Sequence, residues 1–472
     1  MDKRKFLKIG SLGALGVALS PSISGFSLPD KLRTAHIGVG NMGKEDLLAI
    51  SSHPSVEVVA LCDVDSKYLD AAHKLFPNAK TFADYRVMLK TLRNEIDAVI
   101  VSTPDHTHAP ASLMAMEMDK AVYCQKPLTH YVAESRAMNQ MANSKKLITQ
   151  MGIQVHSFYD YKLATLLIQS GIIGKVHTVH AWSPKNWGYD GQAPEGADPV
   201  PDSLNWDLWL GTSNARPFKQ GYYHPTNWRK VMDYGCGTLG DMGVHIFDTP
   251  YNALALDVPL TIKNECRATS DFGFPENNKV TYEFPGTAYT TEKLTWIWHD
   301  GVGMPEDHKD LRLPGWKKRK SKSKKSSGDK GISLDAGVAA EGQLPEQGAM
   351  FIGEEGRLLL PHFMQLPKKI VKKKYVDISA QIEELSKLHQ LGQPIRDYNK
   401  EGPKHYHQFV DACLGKGECS APFSYASRLT ETILLGVIAG RFPNKTLHWN
   451  SKTASFDEDE ANQFLEAKYR SF

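Results

Sequence analysis

The run HIGVGNMG at residues 36–43, with Asp63 twenty residues further on at the end of VVALCD, constrains this chain more than any other feature. Residues 34–39 are short, apolar and β-prone, and they read as a strand. Gly38, Gly40 and Gly43 fit GxGxxG. The first permits a tight turn, the second lets backbone approach a pyrophosphate, and the third lets the next helix sit close to the sheet. Asn41 and Met42 stand where that helix begins, so its free N–H groups and positive dipole end face the phosphates. Residues 56–62 read as the second strand, and Asp63 at its carboxyl end is placed to hold both ribose hydroxyls of NAD. An acid there repels a 2′-phosphate, so NAD is expected rather than NADP. Asp65 competes for this role, and Asp63 is favoured by position. A nucleotide-free glycine turn is the bland alternative, and the strand before, the helix after and the acid at the right distance weigh against it.

Residues 1–30 have the order of an export signal. Residues 3–8, KRKFLK, are basic, residues 9–19 are apolar with three glycines, and residues 20–27 are small and polar. The start is also similar to the twin-arginine signal SRRxFLK: Arg4, Phe6, Leu7 and Lys8 match, and Lys3 stands for the first arginine. A retained membrane anchor is the alternative. The expected location is periplasmic or otherwise exported, with no stable membrane insertion after cleavage. Nicotinamide cofactors are made in the cytoplasm, so tightly bound NAD is expected. The net charge of +3, from 56 basic and 53 acidic residues, argues against a general nucleic-acid partner. The six cysteines form no CxxC pair and specify no disulfide framework.

Strand and helix patterns alternate to about residue 150, which predicts a parallel, doubly wound sheet over residues 31–153, with ligand at the carboxyl ends of its strands. A helix is expected at 159–170, then strands at 175–182, 260–268, 279–284 and 289–298, and late helices at 404–414 and 425–439. The fold class is therefore α/β plus α+β: a Rossmann dinucleotide-binding domain followed by an open-faced, mostly antiparallel sheet domain with helices, residues 154–472. The basic run 317–330 reads as a solvated flexible loop.

Two further motifs carry chemistry. CQKPL at 124–128 follows a strand and puts Lys126 beside the nicotinamide end of a bound cofactor, where an ammonium can stabilise alkoxide character. GDMGVH at 240–245, if helical, sets Asp241 and His245 on one face at i and i+4, so that the carboxylate orients a histidine acting as base. A metal pair or a satisfied core histidine are the alternatives. A zinc site wants a third ligand, which only the fold could bring from His405 or His407, and no metal is expected. Tryptophans 182, 187, 206, 209 and 228 cluster with several tyrosines, and aromatic faces suit sugar rings. Trp228, Arg229 and Tyr234, just ahead of Asp241, and His156 are the candidates for binding substrate.

With GVGNMG, TPDHTH at 103–108, CQKPL and DMGVH, the chain resembles the Gfo/Idh/MocA oxidoreductases over nearly its whole mature length. WDLWLG at 206–211, NWR and YGCGTLGD look like the exported bacterial branch of that family. Its frequent EKP motif is QKP here, with the lysine kept as Lys126 and Gln125 in place of the acid. The resemblance implies an active site between the two domains, NAD or NADP, and sugar or cyclitol substrates. It implies that Lys126 hydrogen-bonds the reacting hydroxyl, that His245 is the acid/base and that Asp241 is its neighbour. Thr103, Pro104, His106, Gln125 and Gln154 would line the nicotinamide side. A homo-oligomer is expected, since the family often assembles through the open sheet face. A redox-neutral, NAD-dependent glycosidase acting through a transient ketone is one alternative to a dehydrogenase, and a non-catalytic, cofactor-loaded sugar binder is another.

Overall fold

The computed structural model describes residues 31–301, 305, 308–316 and 342–472. The expected export signal, residues 1–30, and the basic run 317–330 lie outside the described residues. Six parallel strands make the first sheet: β1 (Leu32–Ile37), β2 (Val56–Cys62), β3 (Lys80–Phe82), β4 (Ala98–Val101), β5 (Ala121–Cys124) and β6 (Thr149–Met151), in the order 3-2-1-4-5-6. Both faces of this sheet are covered, which is why β4 reads AVIV with every residue buried. Its helices are α1 (Met42–Ser51), α2 (Ser66–Leu75), α3 (Tyr85–Thr91), α4 (Asp105–Glu117) and α5 (Val132–Lys145). Asp65 and Asp84 cap α2 and α3, each accepting from the N–H two residues on.

A ten-stranded sheet follows: β7 (Val176–Ser183), β8 (Thr261–Glu265), β9 (Lys279–Pro285), β10 (Thr290–Asp300), β11 (Gly348–Gly353), β12 (Gly356–Pro361), β13 (Lys368–Val371), β14 (Lys374–Val376), β15 (Thr446–Asn450) and β16 (Ser455–Phe456). The order is 14-13-12-11-7-10-9-8-15-16, and every pairing is antiparallel except β7 with β10. Its helices are α6 (Tyr159–Gln169), α7 (Trp206–Leu210), α8 (Val244–Ala253), α9 (Ser379–Leu388), α10 (Tyr398–Cys413), α11 (Phe423–Ala439) and α12 (Asp459–Asn462). The inner face of the large sheet packs on α8, with Trp296 stacked on Phe247 at 4.3 Å. The outer face is open only in part. Leu311, Leu313 and Leu344 cover Trp182, Met350, Ile352 and Leu359, and the Trp182 indole N–H donates to the Pro345 carbonyl at 2.9 Å.

Two expectations shift. The late helix expected at 404–414 begins at Tyr398, and Tyr406, Phe409 and Val410 pack on Ile100 and Tyr123 of the first sheet. The chain therefore returns from the second domain to finish the Rossmann layer. GDMGVH is not one α-helix: Leu239–Gly243 is a π-helical turn and α8 starts only at Val244. The helix thus changes pitch between Asp241 and His245, which lie on either side of the junction.

Candidate active site

The carboxyl edges of β1, β4 and β5 meet the π-turn of the second domain. At β1, Gly38 has φ of +82°, and a Cβ on Gly43 would stand 2.1 Å from the Gly38 carbonyl oxygen, so α1 lies directly on the turn. Helix α1 starts without a side-chain cap at Asn41; the Gly43 and Lys44 N–H groups donate to the Gly40 and Asn41 carbonyls, and the Met42 N–H at the helix start faces a ligand. Gly40 has a neighbour the motif does not announce: a Cβ there would meet the Tyr68 ring at 2.5 Å. Asp63 Oδ2 accepts from the Val39 N–H and Oδ1 from the Asp65 N–H, both at 2.9 Å. Burial raises this carboxyl above its ordinary value despite those bonds. Each oxygen keeps a lone pair for a ribose hydroxyl. Asp65 is engaged elsewhere, capping α2 and pairing with His224 at 3.0 Å. A cavity of about 520 Å³ opens beside Asp63. The turn, the uncapped helix, the anchored acid and the cavity fit a dinucleotide.

Lys126 leaves the end of β5 toward the π-turn. Its ammonium donates to Asp241 Oδ1 and to the Asp241 carbonyl, both at 2.9 Å. Asp241 also accepts from the Trp187 indole at 2.6 Å and from Arg229 Nε at 3.3 Å. Burial alone would raise the Asp241 carboxyl, but the charges of Lys126 and Arg229 and the Lys126 and Trp187 hydrogen bonds hold it well below the carboxylate range. His245 is buried near this group but is not hydrogen-bonded to Asp241, so the expected orienting pair does not form. Asp241 anchors Lys126 instead. Burial first, then the charge of Lys126 and His362, pushes His245 well below 6.5, so its imidazole is neutral and can take a proton. Its Nδ1 has no partner, and the His362 ring lies 6.3 Å away.

Gln125 does not face the cofactor side. Its amide donates to both oxygens of Asp46 at 2.9 Å, and its carbonyl accepts from the Lys126 N–H at 3.2 Å. Asp46, fully buried on α1, is pushed up to about 6 by burial, opposed by bonds from Ser102, Tyr406 and Gln125. Gln154 donates to the Tyr406 hydroxyl at 2.8 Å and so joins the same buried network. The negative charge missing from residue 125 is thus supplied by Asp46.

The motif TPDHTH divides. Pro104 precedes α4, and the Thr103 carbonyl accepts from His108. His106 turns away from the crevice: its ring nitrogens lie 2.9 Å from the Trp209 carbonyl and 3.3 Å from that of Tyr234, and burial pushes it down to about 4. His108 bridges the carbonyls of Thr103 and Pro127 at 2.9 and 2.8 Å, which fixes the turn that aims Lys126. Asp105, unremarked in the sequence, is buried; burial pushes it up to about 7 while Arg229 and Lys126 oppose.

Of the substrate candidates, Arg229 reaches the site. Trp228 is 6% exposed, donates to the Pro225 carbonyl and serves as the surface on which Arg229 lies, 4.3 Å above the ring. Tyr234 is fully buried among Trp209, His106 and Tyr223, so it is core. Large aromatics between close-packed loops are buried by size alone. His156 is held by Asp248 at 2.8 Å, and Tyr425 donates to the same carboxylate at 2.7 Å. Sequence reasoning missed Asp46, Asp105, His108, Asp248 and His362, and had Trp187 only as one of an aromatic cluster. Asp105 and His108 sat inside a motif already in view; nothing local marks Asp46 or His362.

Residues 32–153 match the oxidoreductase family with an NAD-binding Rossmann fold, and residues 160–286 match the C-terminal alpha/beta domain of the same family. A glycosyl hydrolase family 109 protein of Shewanella pealeana is 27% identical over 202 residues, 37% of this chain and 44% of that protein. An inositol 2-dehydrogenase of Salmonella paratyphi B is 29% identical over 152 residues, 32% of this chain and 45% of that protein. The chain thus spans about half the length of these curated relatives. A levoglucosan dehydrogenase solved with NADH and levoglucosan superposes with a TM-score of 0.58 at 15% identity, covering 89% of this chain and 99% of that one. On the Rossmann and C-terminal matches together, which take in more than half of its length, this chain belongs to the Gfo/Idh/MocA oxidoreductase family.

Proposed function

We propose that the chain oxidises a hydroxyl of a sugar, glycoside or cyclitol by hydride transfer to tightly held NAD. The observation that carries this is Lys126, clamped 2.9 Å from Asp241 at the carboxyl edge of the Rossmann sheet beside a neutral His245. When bound, the nicotinamide supplies the two-electron acceptor. Lys126 donates a hydrogen bond to the reacting oxygen, and Asp241 holds its ammonium in place. His245 takes the hydroxyl proton while the C–H hydrogen departs with its electron pair, leaving a carbonyl. In this reading Arg229, which already touches Asp241, serves a neighbouring hydroxyl. The names of the inositol and levoglucosan dehydrogenases support the substrate class.

Protein purified without added cofactor and then denatured is expected to release NAD in stoichiometric amount, and soaking in the right sugar beforehand should convert it to NADH. If nothing is released and added NAD does not bind, the reading fails. The family 109 similarity favours a second reading, a redox-neutral glycosidase. That enzyme would release an aglycone without net NADH. K126M is expected to abolish turnover while sugar binding survives; a protein inert on every sugar would be a binder. Export through the twin-arginine-like start is part of the proposal and is checked by cell fractionation. So is a homo-oligomer through the uncovered half of the outer sheet face, checked by light scattering.

A further inference from the structure

Residues 200–206 cross from the second domain to the Rossmann domain beside Asp63. The contact is strand-like: the Ser66 N–H donates to the Ser203 carbonyl at 2.8 Å, the Asn205 N–H donates to the Val64 carbonyl at 2.9 Å, and Leu204 bridges Asp65 in antiparallel sense. The strap is fastened at its base. Leu204 is buried in a cluster with Trp209, Phe218, Tyr223 and Trp228. Just upstream, Asp198 accepts from the Gln220 N–H at 2.9 Å and from Lys219 at 3.0 Å. The cavity of about 520 Å³ lies between the strap and the end of β2, with Asp63, Val64 and Ser66 on one wall and Asp202, Leu204 and Trp206 on the other. That volume is in the range of ligand sites. Asp202 is exposed and brings a second carboxylate to the cavity.

We propose that residues 200–206 form the outer wall of the adenosine pocket, that this strap retards release of the dinucleotide, and that Asp202 joins Asp63 in rejecting a 2′-phosphate. The inference rests on the NAD reading above. A ligand that leaves outward has to part the strap from the loop after β2, breaking two main-chain hydrogen bonds. A phosphate near the dianion, set between two carboxylates, is repelled by both.

The test uses the whole protein, with NADH, NADPH and reduced nicotinamide mononucleotide as probes, followed by fluorescence. Ser66 is the first residue of α2, where proline is tolerated, and Asp65 before it has φ −104° and ψ 109°, which suits a residue preceding proline. S66P therefore deletes one strap bond while keeping the helix start. It is expected to release NADH roughly fivefold faster, the worth of one net hydrogen bond, with release of the mononucleotide unchanged. Comparing D63N with D63N/D202N, the double variant is expected to bind NADPH roughly fivefold tighter, as loss of one nearby charge predicts. Unchanged NADH release from a folded S66P overturns the retaining role. Unchanged NADPH affinity in the double variant overturns the role of Asp202, and this arm stands whether or not S66P folds. A wild-type protein that binds no dinucleotide removes the NAD reading and the strap with it, whereas wild-type binding with both variants unaffected removes the strap alone.

Discussion

The histidine at 245 and the glutamine at 125 show how single residues set this site. His245 is kept neutral by burial and by the Lys126 ammonium beside it, so its task as base survives into mildly acid solution. The acid limb of the kcat/KM profile is expected below pH 6.5, the ordinary histidine value. H245Q should lose that limb and lower kcat by about 10²–10⁴-fold, while titration with NAD shows unchanged binding. Gln125 matters because Asp46 is already there. Q125E would press a second carboxylate against one that burial has pushed up to about 6. Both groups would then ionise less readily in the fold than in the unfolded chain. Stability is therefore expected to fall as pH rises from about 4 through 7, reaching a loss of roughly 3 kcal/mol at pH 8 for an uncompensated buried charge. Urea denaturation checks this, and Q125E/D46N should recover most of the loss.

At the scale of elements, the turns carry more of the function than the strands. The π-turn at Leu239–Gly243 carries Asp241, whose carboxylate meets Lys126, Trp187 and Arg229. Helix α4 and the turn after β5 are tied by His108. H108L removes the imidazole, with its one N–H, from between the Thr103 and Pro127 carbonyls and is expected to cost about 1–3 kcal/mol in denaturant unfolding. Because it also frees the turn that aims Lys126, kcat should drop more than KM rises. The strands from Gly348 to Val376 were not legible in the sequence. β13 and β14 lie at the sheet edge and read as KKIV and KYV. Lysines that guard an edge against pairing also erase the alternation by which a strand is recognised. Helix α4 runs from Asp105 to Glu117 with Pro110 inside it, which interrupts the helical pattern in the sequence.

At the scale of the molecule, and among the described residues, histidines pushed down by burial outnumber carboxyls pushed up by it. Burial pushes His36, His180 and His405 down to about 3, and His106, His108, His130, His299 and His362 to about 4. Each is neutral in the fold and takes up a proton on unfolding below pH 6.5, so acidification from 6.5 toward 4 removes stability. Asp46, Asp105, Glu134 and Asp300, pushed up to between about 6 and about 7 by burial, act in the opposite direction over the same window but are fewer. The melting temperature is expected to fall steeply between pH 6.5 and 4, and a flat profile there would refute the account. Local sequence determined the glycine turn, Asp63, the βα alternation and the identities of Lys126, Asp241 and His245, because turn chemistry, periodicity and motif spacing are properties of neighbouring residues. Which of these touch was decided only by tertiary structure. Asp46 meets Gln125 across 79 residues and Lys126 meets Asp241 across 115. The helix that closes the Rossmann layer starts at residue 398, and the strap over Asp63 comes from residues 200–206. Such partners are fixed by how layers pack, and no local pattern in the chain encodes them.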